Sequence, residues 1–358
     1  MAKKKADFHF STLDCHNHLI ETRPPAMSFD PAVNGKTPKA VAAWQAKLRA
    51  DVKRRLGWQN FAHGSKRCPL KVRSLWDRKT ALGTIEKIVF TSEPKSDVPA
   101  YVCIPKGLKP PYDWFICVQG HSTGMHNSIA VDFKTNKRKI KVEGEQDFAI
   151  GCMERGVAAL CIEQRAFGER WLNYPRYPQL TGSCSGAATH ALQLGRTLIG
   201  ERVYDVDRAI DYLFTRKDVR KSTLGLLGLS GGGTITTFGS ALLSRIKMSM
   251  PAGYFCTFKD SIMAMPHCGC NFVPGLLTVA EMADVLGLFA PRPVAVVTGK
   301  DDPIFPLHGT KSEFKRLKSI YKALGADDKC KLVVGDGEHR FFAEQGWKAM
   351  FKASGLKA

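Results

Sequence analysis

The sequence predicts an α/β fold, a mostly parallel central sheet with helices on both faces, preceded by a helical N-terminal extension. Three observations predict it. Strand-sized runs are apolar almost without interruption, as strands buried on both faces require. The later runs alternate with helix-length stretches whose apolar residues recur every three or four positions. Two long irregular stretches follow the ends of predicted strands, where open α/β sheets place their ligands.

Taken in order, residues 1–80 carry one strong helical pattern, "PKAVAAWQAKLRADVKRRLGW", in which Val41, Trp44, Leu48, Val52 and Leu56 share a face. This segment reads as an extension packing on a main domain of residues 81–358. The strands follow at "IEKIVFTS", "AYVCIP", "WFICVQG", "VAALCIE", "LGLLGL", "IKMSMPAG", "RPVAVVTG" and "KLVVGD". Helices are expected at "QDFAIGCMERG", at "DVDRAIDYLFTR", where Val206, Ala209, Ile210 and Leu213 align, and at "HGTKSEFKRLKSIYKAL". The irregular stretches, "RAFGERWLNYPRYPQLTGSCSGAATH" and "GYFCTFKDSIMAMPHCGCNFVPGLL", read as pocket walls.

Composition bounds the function. A chain of 358 residues, 44% hydrophobic, can bury one large core or two modest ones. No apolar run approaches the roughly 18 residues of a membrane span, and "MAKKKADFHF" has charge without the apolar stretch of a signal peptide. The chain as given is therefore expected in the cytoplasm. Its net charge of +20 would attract polyanions. The charge is spread along the chain, however, with local runs at Lys3–Lys5, Lys53–Arg55 and Lys134–Lys141, and no nucleic-acid-binding motif accompanies them. Neither a specific nucleic acid nor a membrane is expected as a partner.

Most of the eleven cysteines sit inside apolar segments and read as free, buried thiols. Cys268-Gly269-Cys270, beside His267, would suggest zinc. The CxC spacing is not the usual CxxC and no second cysteine pair lies nearby in the chain, so no metal is expected there. "LDCHNHL" places Asp14, His16 and His18 in an HxH pattern like that opening metal-dependent amidohydrolases, but the remaining histidines do not follow that layout.

The chemistry-bearing stretch is Gly228-Leu229-Ser230-Gly231-Gly232, a GxSxG pattern between an apolar strand and a helix. A phosphate cradle would need a lysine and Ser/Thr after its glycines, and a dinucleotide fingerprint would need GxGxxG; both are absent. In a strand–turn–helix context the serine is raised on a tight bend that tolerates only small neighbours. A serine nucleophile needs a base, and the base needs a carboxylate. Both follow in chain order: Asp301 and Asp302 end one late strand and His339 follows another. Oxyanion donors are expected from the amides of Gly231 and of His121, the latter just after "WFICVQG".

From about residue 80 onward the chain resembles the α/β-hydrolase superfamily, in its acetyl xylan esterase and dienelactone hydrolase-like branch. The resemblance is carried by "VQGHSTG", "EQRAFGER", "GERVYDVDRAIDYL", "GLSGGG", "CNFVPGLL", "APRPVAVVTGKDDPIFP" and "GDGEHRF". It implies the α/β-hydrolase fold, and it favours Asp302 over Asp301, because the family's acid lies three residues after the strand-ending glycine, here Gly299. Ala166 departs from the family's usual glycine. The implied function is a serine ester hydrolase with Ser230, His339 and Asp302 as catalytic residues and no cofactor. Its substrates would be acetyl or other short acyl esters on carbohydrate or small molecules, with acidic ones possible given the charge. The alternatives are a prolyl-oligopeptidase-like peptidase, for which no blade-like repeat exists, and a catalytically silent relative that binds an acidic polymer.

Overall fold

The computed structural model describes residues 9–121, 123–177 and 184–356. All eight predicted runs are strands: β2 (Gly83–Glu93), β3 (Ser96–Pro105), β4 (Trp114–Val118), β5 (Ala158–Ile162), β6 (Gly225–Leu229), β7 (Met248–Ala252), β8 (Val294–Gly299) and β9 (Cys330–Gly335). A ninth, β1 (Arg73–Lys79), was not predicted, because "RSLWDRK" is polar and largely exposed. It pairs antiparallel with β2 on the sheet edge, where polar residues also discourage pairing with other chains. The order is β1-β2-β3-β5-β4-β6-β7-β8-β9. From β5 to β9 every pairing is parallel, while β1, β2 and β3 are joined antiparallel at one side. Strands β4 to β8 are buried along their whole length, which explains their unbroken apolar sequences.

The helices are α1 (Thr12–Thr22), α2 (Pro38–Arg55), α3 (Phe148–Glu154), α4 (Cys184–Gln193), α5 (Leu198–Thr215), α6 (Gly231–Leu242), α7 (Met282–Gly287), α8 (Leu307–Ala323) and α9 (Ala343–Ser354). Asp14, His16 and His18 lie within the first of these, so their HxH pattern does not follow a strand. Helix α2 opens on Thr37, whose side chain accepts from Ala40 N, with Pro38 in the first turn where a missing N–H costs nothing. It buries Val41, Trp44, Leu48 and Val52 in the core that also holds α5, α6 and α8, each such side chain contributing about 1.5–3 kcal/mol. Further anchoring is polar. Phe29 N donates to Asp284 Oδ1 at 2.8 Å, Ser28 Oγ to Asp284 Oδ2 at 3.1 Å, and Arg316 bonds both Ser28 and Asp284. The Lys53–Arg55 run is used structurally, since Arg54 and Arg55 pair with Asp51 and Arg55 also donates to Gly275 O. The Lys3–Lys5 run lies outside the described residues. No helix among those described is long and apolar enough to cross a membrane.

Two segments that carried the family resemblance are tied together by buried charge. Asp205 of α5 is 1% exposed and accepts from Arg165 Nε at 2.9 Å and Arg170 at 2.6 Å. Arg165 also reaches Glu93 at 2.7 Å and Glu201 at 3.4 Å, and Arg196 bridges the same two glutamates. Burial alone would raise the Asp205 carboxyl; the two arginines outweigh it and hold it well below the usual carboxylate range. Removing one member of such a cluster strands the opposite charge in a dry interior. Asp205→Ala is accordingly expected to cost about 3–5 kcal/mol, read as a lower urea midpoint at unchanged m value. A midpoint equal to that of the parent chain would show that the cluster is not what holds this loop.

Glu281 behaves oppositely. Its carboxylate caps α7, accepting from Met282 N at 2.9 Å and Phe258 N at 3.1 Å. Burial, reinforced by the charge of Glu313, pushes its carboxyl from 4.5 up to about 8. Between those values the folded chain holds a proton that the unfolded chain releases, so this group makes stability fall as pH rises through that window. Glu281→Gln keeps a cap acceptor without the titration. Its melting temperature should decline less between pH 5.5 and 8 (about the window above) than that of the parent, and identical pH profiles would refute this assignment.

Candidate active site

The site is built where β6 turns into α6. Ser230 occupies that corner with φ 58° and ψ −120°, a conformation most L-residues avoid. It is held by Ser230 N donating to Ala252 O of β7 and by Thr234 N donating to Ser230 O, both at 2.9 Å. The glycines of the motif have a spatial reason. A Cβ on Gly232 would stand 2.1 Å from Val118 O, and one on Gly228 would stand 2.6 Å from both Val118 O and Gly232 O. β4 thus closes to van der Waals contact with the corner, which any larger residue would prevent.

The strands β8 and β9 bring two of the predicted residues together. Their ladder continues past the strand ends through Lys300 N to Gly335 O at 2.9 Å and Asp301 N to Gly337 O at 3.0 Å. The two polar loops are thereby zipped side by side. His339 Nδ1 lies 2.7 Å from Asp302 Oδ2, while Asp302 Oδ1 accepts from Ile304 N at 2.9 Å and Phe305 N at 3.0 Å. Asp302 is 3% exposed; Asp301 is on the surface. The imidazole stacks on Phe305 at 5.9 Å and rests on Gly253, where an added Cβ would be 2.8 Å from His339 Cε1. Gly253 directly follows Ala252, the partner of Ser230 N. Buried Nε2 of His339 has no hydrogen-bond partner among the described residues.

The two predicted oxyanion donors are also neighbours. Gly231 is the first residue of α6, where helix amides lack intrahelical acceptors. His121 Nδ1 is 2.9 Å from where a Cβ on Gly231 would stand. Burial pushes the His121 imidazole down to about 3, so the ring is neutral. Ser122, which follows it, lies outside the described residues.

Several groups at the site escaped sequence reasoning because they come from segments without motif spacing. His267 sits between His121 and Phe305, with ring distances of 6.3 and 6.2 Å, and shares a hydrogen bond with Asn271, which in turn accepts from Thr234 of α6. Glu163, at the end of β5, accepts from Met125 N and Glu169 N at 3.1 Å, and its burial raises the carboxyl to about 7. Ala166, at the family's glycine position, adopts φ +62°, the left-handed geometry that glycine accommodates without strain. Across Gly168 from Glu163 opens a cleft of about 720 Å³, bordered by Thr123, His126, Phe133, Gly168 and Trp171.

The cysteines depart from expectation. Nine are free thiols, but Cys184 and Cys268 are paired sulfur to sulfur. The partner of Cys268 is 84 residues away in the chain, which spacing could not reveal. His121 and Cys270 join this pair in one cluster.

A family model described as the abhydrolase family, Abhydrolase_7, matches residues 1–315. The chain belongs to this family. This abhydrolase is 24% identical over 282 residues to the Bacillus subtilis (strain 168) protein named "Putative hydrolase YtaP", covering 77% of this chain and 88% of that one. Its fold is that of a solved structure described as "a putative acetyl xylan esterase" from Bacteroides fragilis, with TM-score 0.74 and 16% identity over 100% of this chain and 93% of the other. It is likewise similar to a glucuronoyl esterase from Solibacter usitatus, with TM-score 0.66 and 15% identity over 93% and 97% of the two chains. The abhydrolase fold read from the sequence is thus the fold observed, and the family match includes the N-terminal segment together with the sheet.

Proposed function

We propose that this abhydrolase is a serine ester hydrolase that removes acetyl or other short acyl groups from carbohydrate or small esters. The observation that carries the reading is the Asp302–His339 pair at 2.7 Å, with Nε2 unbonded, on loops that flank the strained Ser230 corner. Asp302 fixes the tautomer in which Nδ1 carries the proton and leaves Nε2 basic. Ser230 Oγ gives its proton to Nε2 as it attacks the ester carbonyl. Charge developing on the carbonyl oxygen is met by the amides of Gly231 and His121, an interaction type typically worth about 3–4 kcal/mol of barrier per donor. The imidazolium then protonates the departing alcohol, and water enters by the reverse path to release the acid. The substrate class is supported by the solved relatives described as an acetyl xylan esterase and a glucuronoyl esterase. A peptidase of the propeller-bearing kind has less support, since every named strand among the described residues belongs to one sheet.

On this reading a fluorophosphonate labels Ser230, and Ser230→Ala abolishes labelling and lowers kcat for p-nitrophenyl acetate by at least about a thousandfold. Asp302→Asn should lose about a hundredfold or more and Asp301→Asn little. An unlabelled chain would instead favour a silent relative that binds without turnover, and a reversed ranking of the aspartates would move the acid to Asp301.

The basic surface gives a finer expectation. Lys134, Lys137, Arg138 and Lys139 are exposed in the loop whose Phe133 borders the cleft. An anionic acetylated oligosaccharide should therefore lose kcat/KM as salt rises from about 0.1 to 1 M, where the screening length falls from about 10 to 3 Å. A neutral acetyl ester should not. Equal, flat responses would show that the charge takes no part in recruiting substrate.

A further inference from the structure

We infer that His121, Cys184, Cys268 and Cys270 form a structural zinc site when their thiols are reduced, tying the loop after β4 to α4 and to the 267–271 loop. The donor atoms, one imidazole nitrogen and three sulfurs, all lie within 4.8 Å of one another. Ligand atoms around a tetrahedral zinc with bonds of about 2.0–2.3 Å are separated by roughly 3.5–3.8 Å, so small side-chain rotations bring all four onto one ion. His121 Nε2 is already 2.9 Å from Cys270 Sγ. Three thiolates and a neutral imidazole are a soft set that selects zinc over magnesium or calcium. All four positions belong to the protein, which is the closed arrangement of a structural centre and leaves none for substrate.

A second observation points to the same ion. Arg202 of α5 is 2% exposed, lies over Phe167 at 4.2 Å, donates to the Arg165 carbonyl and stands beside Cys270. It ion-pairs with no carboxylate at bonding distance among the described residues. A dry, unpaired cation is costly. Zinc with three thiolates carries one net negative charge, which the neighbouring Arg202 balances. Binding converts three thiols to thiolates and releases three protons, so no electrons move. The Cys184 and Cys268 Cα atoms stand 7.0 Å apart, at the outer limit for a disulfide but comfortable for two ligands of one ion. This disulfide and the zinc centre are mutually exclusive forms of the same residues, and a thiol reductant that supplies two electrons and two protons converts the first into the zinc-competent form.

The spacing rule set this cluster aside because it sought a CxxC pair within one stretch of chain. Tertiary structure brings the ligands from three separate segments, and it substitutes His121 for His267, whose Nδ1 is engaged by Asn271.

The test uses the full chain purified in a thiol reductant, loaded with zinc and desalted, with metal measured by mass spectrometry. About one zinc per chain is expected, falling about tenfold or more in Cys184→Ser and Cys270→Ser and staying unchanged in the exposed control Cys15→Ser. Cobalt added to the unsubstituted reduced chain should give thiolate charge-transfer bands and the visible bands of a tetrahedral ion. That spectrum keeps the proposal falsifiable even where a serine variant fails to fold. Absence of retained zinc with no cobalt bands would overturn it. So would retention unaffected by both serine variants, or peptide mapping that finds Cys184 bridged to Cys268 after reduction and zinc loading.

Discussion

The whole site depends on one bend. At Ser230 the chain leaves a buried parallel strand and enters a helix through a left-handed backbone conformation, a distortion of the kind that costs about 1–3 kcal/mol and persists only where its surroundings over-determine it. Here they do. β4 presses Val118 against Gly228 and Gly232 from one side, and β7 binds Ser230 N through Ala252 from the other. The same two strands deliver the remaining groups: β4 leads into His121, and β7 into Gly253, on which His339 rests. Register between neighbouring parallel strands therefore sets the distances among residues far apart in the chain.

Buried charge supports this arrangement from outside the sheet. The Arg165–Asp205–Arg170 cluster and its glutamates pin the loop after β5, which also donates Glu169 N to Glu163. Asp284, fully buried, joins the N-terminal segment to α8 through Arg316. In each case a charge is tolerated in a dry interior because opposite charge and directed N–H groups meet it there. Removal of either partner is more damaging than absence of both, so such clusters specify a single placement of their loops.

Strands β4 to β8 were legible because burial on both faces leaves an unbroken apolar signature, and β2, β3 and β9 through their largely apolar runs. The edge strand β1 had no such signature: Arg73, Asp77 and Lys79 face solvent, and its strand form comes from hydrogen bonds to β2. Helices α2, α5 and α8 announced themselves by periodicity, whereas the shorter α4 and α7 depend on local contacts, α7 on its Glu281 and Asp284 caps. At the site, chain order and strand-end position name Ser230, His339 and the Asp301–Asp302 pair, and the family resemblance favours Asp302 of the two. His267 and Glu163 could not, since their importance lies in neighbours from other segments.

What the sequence by itself determined was the alternation of buried strands and amphipathic helices, and with it the corner on which a serine flanked by glycines must sit. These are local properties: period, side-chain volume and turn geometry act over a few residues. Tertiary structure alone decided which cysteines meet His121 and which buried arginine lies beside them, and it set Asp302 against His339. Those outcomes are set by long-range pairing in three dimensions, where a separation of 84 residues between Cys184 and Cys268 leaves no trace in local spacing.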